Sequence, residues 1–395
     1  MKPVLVRITT VPLSLKVLLS GQMGYMREQG FDVIMMSSDG SEVDSLVEQE
    51  GCPHEVIPLT RRITPWQDLK ALVKLTRRLR KLRPDIVHTH TPKAGLIGMW
   101  AAKLAGVPIR LHTIAGLPWM ESTGWMRRLL IAIEHLTAFA ATRIYPNSHQ
   151  QMQFMASHRI ARNKMMVLGH GSSNGIDLER YALTPELLQK AEELKQQVRL
   201  YKGAWIWVFV GRLVKDKGMA ELMKAFQRFY RQFPEDQLWL IGAQEPELDP
   251  LDAETLESMK KLKTVRCWGF QEDVRPFLAA ADALVFPSYR EGFPNVPLQA
   301  GALGCALLLT NINGCNEIVE HEKDGYLVNP KDVDDLVYWL IKLREVNGRG
   351  EMFSANIREK IIAHYDRKVI WSALLEQYRL LLKESHKPLP DAPLS

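Results

Sequence analysis

Short β-branched apolar runs alternate with stretches of helical period from residue 2 onward, and the whole alternation starts again after residue 204. Strands are predicted at residues 4–8, 32–36, 85–90, 109–113 and 142–146, with helices near 15–28, 66–82 and 93–104. The second series places strands at 205–210, 237–241, 264–268, 283–286 and 306–310. Apolar strands separated by helices mark parallel sheets covered on both faces, because each parallel crossover needs a helix-sized connection. A chain of 395 residues also exceeds what one core holds, about 250–300 residues. The prediction is an α/β fold of two doubly wound Rossmann-like domains. Ligands of open α/β sheets bind beyond the carboxyl ends of the strands, so two facing domains put the site in the cleft between them.

A polar segment at 183–202 follows the turn Asn174-Gly175-Ile176-Asp177 and sets the predicted boundary near residue 190. The domains are then 1–190 and 191–366, with 367–395 as a terminal helix and Pro-rich tail that returns toward the first domain. The opening run is broken by Arg7 and reads as a strand rather than a signal peptide; the most apolar helical stretch, 129–141, is shorter than the roughly 20 residues of a membrane span. A cytoplasmic protein is expected. Its four cysteines are widely separated and read as reduced.

Charge is unevenly placed. Residues 1–180 hold 23 Lys and Arg against 14 Asp and Glu, and the remainder holds 28 against 31. Without a helix-turn-helix, zinc-finger or aromatic RNA-binding signature, the basic half points to an anionic membrane or acidic substrate rather than to nucleic acid. Trp119, Trp125, Met126, Arg127 and Arg128 precede an apolar stretch, and a second basic helix carries Arg77, Arg78, Arg80, Lys81 and Arg83. That composition suits either an interfacial helix or a core helix with a solvated basic end.

Two turns carry the chemistry. Gly211-Arg212-Leu213-Val214-Lys215-Asp216-Lys217-Gly218 joins a strand to a helix, and its glycines and cations suit a diphosphate held without metal; the bland alternative is an exposed basic turn. Pro287-Ser288-Tyr289-Arg290-Glu291-Gly292-Phe293-Pro294-Asn295 repeats the arrangement, with Glu291 in the turn and Gln299 about two helical turns later. Here Glu291 as a helix-start charge is the alternative. His88 and His90 share a strand face without a third ligand nearby, so hydrogen-bonded histidines are favoured over a metal site. Asp332-Val333-Asp334-Asp335 opens a helix and reads as a cap.

Taken in order with Val87-His88-Thr89-His90, Leu111-His112-Thr113 and Trp268-Gly269-Phe270, these turns resemble retaining glycosyltransferase family 4 of the GT-B fold, in the style of bacterial capsule, O-antigen and N-glycan assembly enzymes. The resemblance implies transfer of a hexose or N-acetylhexosamine from a nucleoside diphosphate sugar, UDP above all, to a lipid-diphosphate-linked glycan or saccharide. No cofactor and no metal are expected, and the partners are the donor, the lipid-linked acceptor and an anionic membrane at the inner face of the plasma membrane. The first domain would take the acceptor and the second the donor.

By the same resemblance Arg212 and Lys217 hold the diphosphate beside Gly211, and Glu291 contacts the transferred sugar with His112 beside it. Phe270 lies in the nucleobase loop, and Gly292, Phe293, Asn295 and Val296 line the phosphate-binding helix start. Two departures stand out. The family's glycine-rich loop after the first strand is Thr9-Thr10-Val11-Pro12 here, leaving Ser14 and Lys16 as acceptor-side substitutes. A Gln, Gln299, stands where the family has a second Glu, toward the donor ribose. Alternatives are a nucleotide-sugar epimerase of the same fold or a non-catalytic nucleotide-sugar-binding protein. A nicotinamide enzyme lacks its Gly-x-Gly-x-x-Gly after the first strand.

Overall fold

Alternate residues of the first strand enter different cores. Val6 and Ile8 join one apolar cluster with Ala71, Leu75 and Ala138, while Leu5 joins another with Leu15, Met23 and Tyr378. A sheet buried on both faces requires this. In the computed structural model, which describes residues 2–385 except 61, 63, 121, 199–200, 248 and 346–348, β1 (Val4–Ile8), β2 (Asp32–Ser37), β3 (His54–Val56), β4 (Ile86–His90), β5 (Ile109–Ile114) and β6 (Arg143–Pro146) form a parallel sheet in the order β3-β2-β1-β4-β5-β6. Its helices are α1 (Pro12–Leu18), α2 (Gln22–Glu28), α3 (Val43–Glu50), α4 (Pro65–Leu82), α5 (Pro92–Ala105), α6 (Gly124–Ala140) and α7 (His149–Ser157).

The second sheet repeats the design. β7 (Ile206–Val210), β8 (Gln237–Ile241), β9 (Val265–Gly269), β10 (Ala283–Phe286), β11 (Ala306–Thr310) and β12 (Tyr326–Val328) run in the order β12-β11-β10-β7-β8-β9, again parallel. Its helices are α8 (Pro185–Gln197), α9 (Met219–Phe229), α10 (Ala253–Lys261), α11 (Arg275–Ala280), α12 (Asn295–Ala302), α13 (Cys315–Ile318), α14 (Val333–Glu345) and α15 (Arg349–His364). Counted from its own first strand, each sheet has the order 3-2-1-4-5-6. The direction of winding reverses between β1 and β4, and between β7 and β10, the positions where open α/β sheets form their binding crevices.

The terminal helix α16 (Arg367–Glu384) belongs to the first unit. Its Leu374, Leu375, Leu381 and Leu382 are buried in the same cluster as Leu5. Tyr378 reaches the sheet, accepting from Arg7 Nη1 at 2.6 Å and lying 2.6 Å from His88 Nδ1, while His88 Nε2 sits 2.8 Å from Thr113 Oγ1. Because the guanidinium can only donate, the Tyr378 proton is free for His88. Arg7, fully buried at mid-strand, thus tethers helix to sheet. Burial lowers its pKa from the usual guanidinium value.

Three features differ from the sequence expectation. The helix expected at 15–28 is two helices, because Gly21 adopts φ +80° and a Cβ there would lie 2.8 Å from the Trp371 ring. The edge strands β3 and β12 have three residues each, too few to show a period. Compactness divides the chain after Gly175 rather than near 190, since Leu187 and Ala191 of α8 are buried in the second core. The Pro-rich tail, 386–395, lies outside the described residues.

Candidate active site

In the second unit, the turns after β7 and β10 emerge side by side at the reversal point. The first is bent by Gly218, at φ +70°, where a Cβ would stand 2.1 Å from the Pro287 carbonyl oxygen of the other turn. Only glycine permits that approach. The Tyr289 amide then donates to the Asp216 carbonyl at 2.9 Å, and the Arg290 guanidinium pairs with the Asp216 carboxylate.

This juxtaposition brings Lys217 onto Glu291. Its ammonium pairs with Glu291 Oε1, which also accepts from Ser288 Oγ at 2.8 Å. Lys217 and Glu291 are 17% and 14% exposed, so the pair is held away from bulk screening yet remains reachable. The Asn313 amide donates to the Glu291 and Gly292 carbonyls at 3.0 and 2.6 Å and pins the turn that presents the carboxylate. Beneath it, burial and then the Glu291 charge push the Cys315 thiol well above its ordinary value, keeping it protonated.

Arg212 is not part of this cluster. It is half exposed and pairs with Glu245 beyond β8 at 2.6 Å. Gly211 continues from β7 with its amide donating to the Ile241 carbonyl at 2.9 Å. Phe293 turns its ring into the core beside Tyr365. Asn295 and Val296 open α12 with amides that have no acceptor within the helix, whereas Pro294 and Pro297 supply no N–H. Gln299 is half-buried on the same helix, and Phe270 follows β9 with its ring 76% exposed.

The remaining candidates belong to the first unit. His112 is buried on β5 with Nδ1 2.8 Å from Thr89 Oγ1 and 3.2 Å from the Thr89 carbonyl. A carbonyl accepts, so Nδ1 carries the proton and Nε2 keeps its lone pair. Burial lowers the imidazole to about 4, so it is neutral near pH 7. Ser14 and Lys16 lie on α1, and Lys16 Nζ donates to Ser45 Oγ at 2.8 Å. His88 is saturated by Tyr378 and Thr113, as above. Asp332 accepts from the Asp335 amide at 3.0 Å, the capping bond expected of it. Among the described residues no cluster of three or more His, Cys, Asp or Glu is arranged to hold a metal.

Ser288 and Asn313 were not singled out from the sequence. Ser288 had a signal, a short hydroxyl residue at a strand end three positions before Glu291. Asn313 had none, since only the pairing of β11 with β10 brings its loop to Glu291.

The family model of group 1 glycosyl transferases matches residues 190–360, and that of the glycosyl transferase 4-like domain matches 19–171. The Staphylococcus aureus capsular polysaccharide biosynthesis glycosyltransferase CapM is 32% identical over 93% of this chain and 95% of its own. The chain is a GT-B glycosyltransferase. An Escherichia coli UDP-Gal:alpha-D-GlcNAc-diphosphoundecaprenol alpha-1,3-galactosyltransferase is 28% identical over 84% of each chain. Anabaena HepE, solved in complex with UDP, superposes with a TM-score of 0.80 at 20% identity, covering 96% of this chain and 99% of that one, a likeness of fold alone. In this glycosyltransferase the matched group 1 region contains both turns and the Lys217–Glu291 pair.

Proposed function

We propose that this enzyme is a retaining, metal-independent transferase of family 4 that moves a hexose or N-acetylhexosamine from a UDP-sugar to a lipid-diphosphate-linked acceptor in surface polysaccharide assembly. The observation that carries the reading is the Lys217–Glu291–Ser288 cluster at the reversal point of the second sheet. A cation and a carboxylate that neutralise each other across the two turns are poised to part, Lys217 turning to the diphosphate and Glu291 to the sugar. With Oε1 held by two donors, Oε2 is the oxygen offered to a sugar hydroxyl. Arg212 joins the diphosphate by leaving Glu245, and the Asn295 and Val296 amides meet a phosphate oxygen. In the second unit Gln299 bonds the ribose; in the first, His112 offers a neutral acceptor nitrogen, and Ser14 and Lys16 serve the acceptor side.

The E. coli relative named above and a Campylobacter jejuni N,N'-diacetylbacillosaminyl-diphospho-undecaprenol alpha-1,3-N-acetylgalactosaminyltransferase, 25% identical over 81% of this chain and 84% of its own, support a lipid-diphosphate acceptor. Such an acceptor places the enzyme at the cytoplasmic face of an anionic membrane. Transfer from a panel of UDP-sugars, followed by UDP release in excess EDTA and by NMR of the new anomeric centre, tests the reading. Full activity in EDTA and an α-linked product from an α-linked donor are expected. Activity abolished by EDTA and restored by magnesium or manganese, or a β-linked product, would overturn it.

A further inference from the structure

The turn after β8 is opposite in charge to the turn it lies against. Residues 242–252 hold Glu245, Glu247, Asp249 and Asp252 and no Lys or Arg, whereas 211–218 hold Arg212, Lys215 and Lys217 against Asp216 alone. Asp252 caps α10, accepting from the Thr255 amide at 2.7 Å, and Glu247 is exposed. The other two acids turn back onto the cationic turn.

The backbone holds them there. The Leu213 amide donates to the Ala243 carbonyl at 2.8 Å and Leu213 bridges to Gln244, so the acidic segment begins as a short extension of the sheet beside Arg212. Glu245 and Asp249 each precede a proline, which disfavours the helical region for both and stiffens the segment. The Asp249 amide then closes it on the Glu245 carbonyl at 3.2 Å.

Their partners point to a ligand. Glu245 Oε2 accepts from Arg212 Nη1 at 2.6 Å, and Asp249 Oδ2 accepts from the Asp216 amide at 2.8 Å. A guanidinium and a backbone amide of a strand-to-helix turn are the donors that phosphate oxygens take. Two carboxylates of the chain itself thus occupy the kind of positions an anionic ligand occupies. They are held unequally. Asp249 grips the backbone of the turn, whereas Glu245 and Arg212 join two solvated side chains, 30% and 51% exposed, in an ion pair of the weak, exchangeable kind.

We infer that Glu245 is an internal competitor of the donor. It occupies Arg212 until a nucleoside diphosphate displaces it, and takes the guanidinium back as the spent nucleotide leaves. Asp249 stays on Asp216 and keeps the competing carboxylate within reach. Such a competitor weakens the hold on substrate and released nucleotide alike, which favours turnover over retention of product. The inference rests on the reading of Arg212 as a diphosphate ligand and names what sets its affinity.

Calorimetric titration of UDP into the full chain and its Glu245→Gln, Glu247→Gln, Arg212→Ala and Arg212→Ala/Glu245→Gln variants tests it. Glu245→Gln keeps the shape and removes the charge, and should tighten UDP about two- to fivefold, the worth of a solvated ion pair. A gain of affinity cannot arise from misfolding. Glu247→Gln removes an equal charge from the same segment and should stay within about 1.5-fold of the parent. Without Arg212 the gain should vanish, so the double variant should match Arg212→Ala. Unchanged or weaker binding by Glu245→Gln, an equal gain in Glu247→Gln, or a gain that survives the loss of Arg212 would overturn the inference. Weakened UDP binding in Arg212→Ala beside an unimproved Glu245→Gln sinks the competitor alone; parent-like binding in Arg212→Ala sinks the diphosphate reading of that residue as well.

Discussion

The two reversal points of this enzyme share a topology and differ in chemistry. In the second unit the turns after β7 and β10 meet through charge, Lys217 on Glu291 and Arg290 on Asp216. In the first, the turns after β1 and β4 meet through hydroxyls. Thr10 and Thr91 lie 2.8 Å apart between their Oγ1 atoms, and Thr91 holds φ +77°. That backbone costs a β-branched residue about 1–3 kcal/mol, retained because the surrounding bonds over-determine it. Below them lie the buried Arg7 guanidinium and the imidazoles of His88 and His90, which burial holds neutral. A parallel sheet dictates where a site can form, and the residues at its strand ends decide what it binds.

The contrast can be broken most sharply at Glu291. If the second reversal point holds the reacting sugar, Glu291→Gln should lower kcat by about a hundredfold while changing donor affinity by less than about threefold, because its charge matters most in the transition state. Lys217→Ala should weaken UDP binding as well as rate. Steady-state kinetics with calorimetric UDP titration separate the two, and near-normal turnover in both variants would show that the charged reversal point is not the reactive one.

A smaller effect separates the units by pH. His112, His88 and His90 have pKa values lowered by burial, so the unfolded chain binds protons that the folded unit refuses. Their contribution to stability is complete above about pH 6.5 and is lost as pH falls toward the folded values. His112 alone, lowered from 6.5 to about 4, should cost roughly 3 kcal/mol across that window. Hydrogen exchange at pH 7 and pH 5 should show the first sheet loosening before the second. Equal loosening in both would deny that the difference between the units is electrostatic.

The smallest expected effect refines the donor side. Gln299→Ala should cost about 0.5–1.5 kcal/mol in kcat/KM if a neutral amide holds the ribose, and Gln299→Glu should retain much of the activity. An inactive Gln299→Glu would mean that the carboxylate is excluded there.

Much of this architecture could be read locally. Four of the ten strands expected from the apolar runs, β1, β8, β10 and β11, begin and end where the runs do, and the other six differ by one residue at one or both ends. Both chemical turns were visible because glycine and charge cluster directly after a strand. The split between α1 and α2 was not visible, since the residue that forces it, Trp371, lies far along the chain and packs against Gly21 only in the folded unit. The basic and aromatic composition at 125–128 was readable, but not that Trp66 of α4, like Trp125 of α6, stays largely exposed in the folded unit.

The sequence by itself determined two parallel α/β units, their strand-end turns and the residue types available there, because hydrophobic period and turn chemistry act over a few neighbouring positions. Only the tertiary structure decided which of those residues meet. Lys217 and Glu291 are 74 positions apart, Asn313 is 22 from the Glu291 carbonyl, and Arg7 reaches Tyr378 across 371. No local period encodes such separations; strand order and the packing of α16 bring them within hydrogen-bond reach.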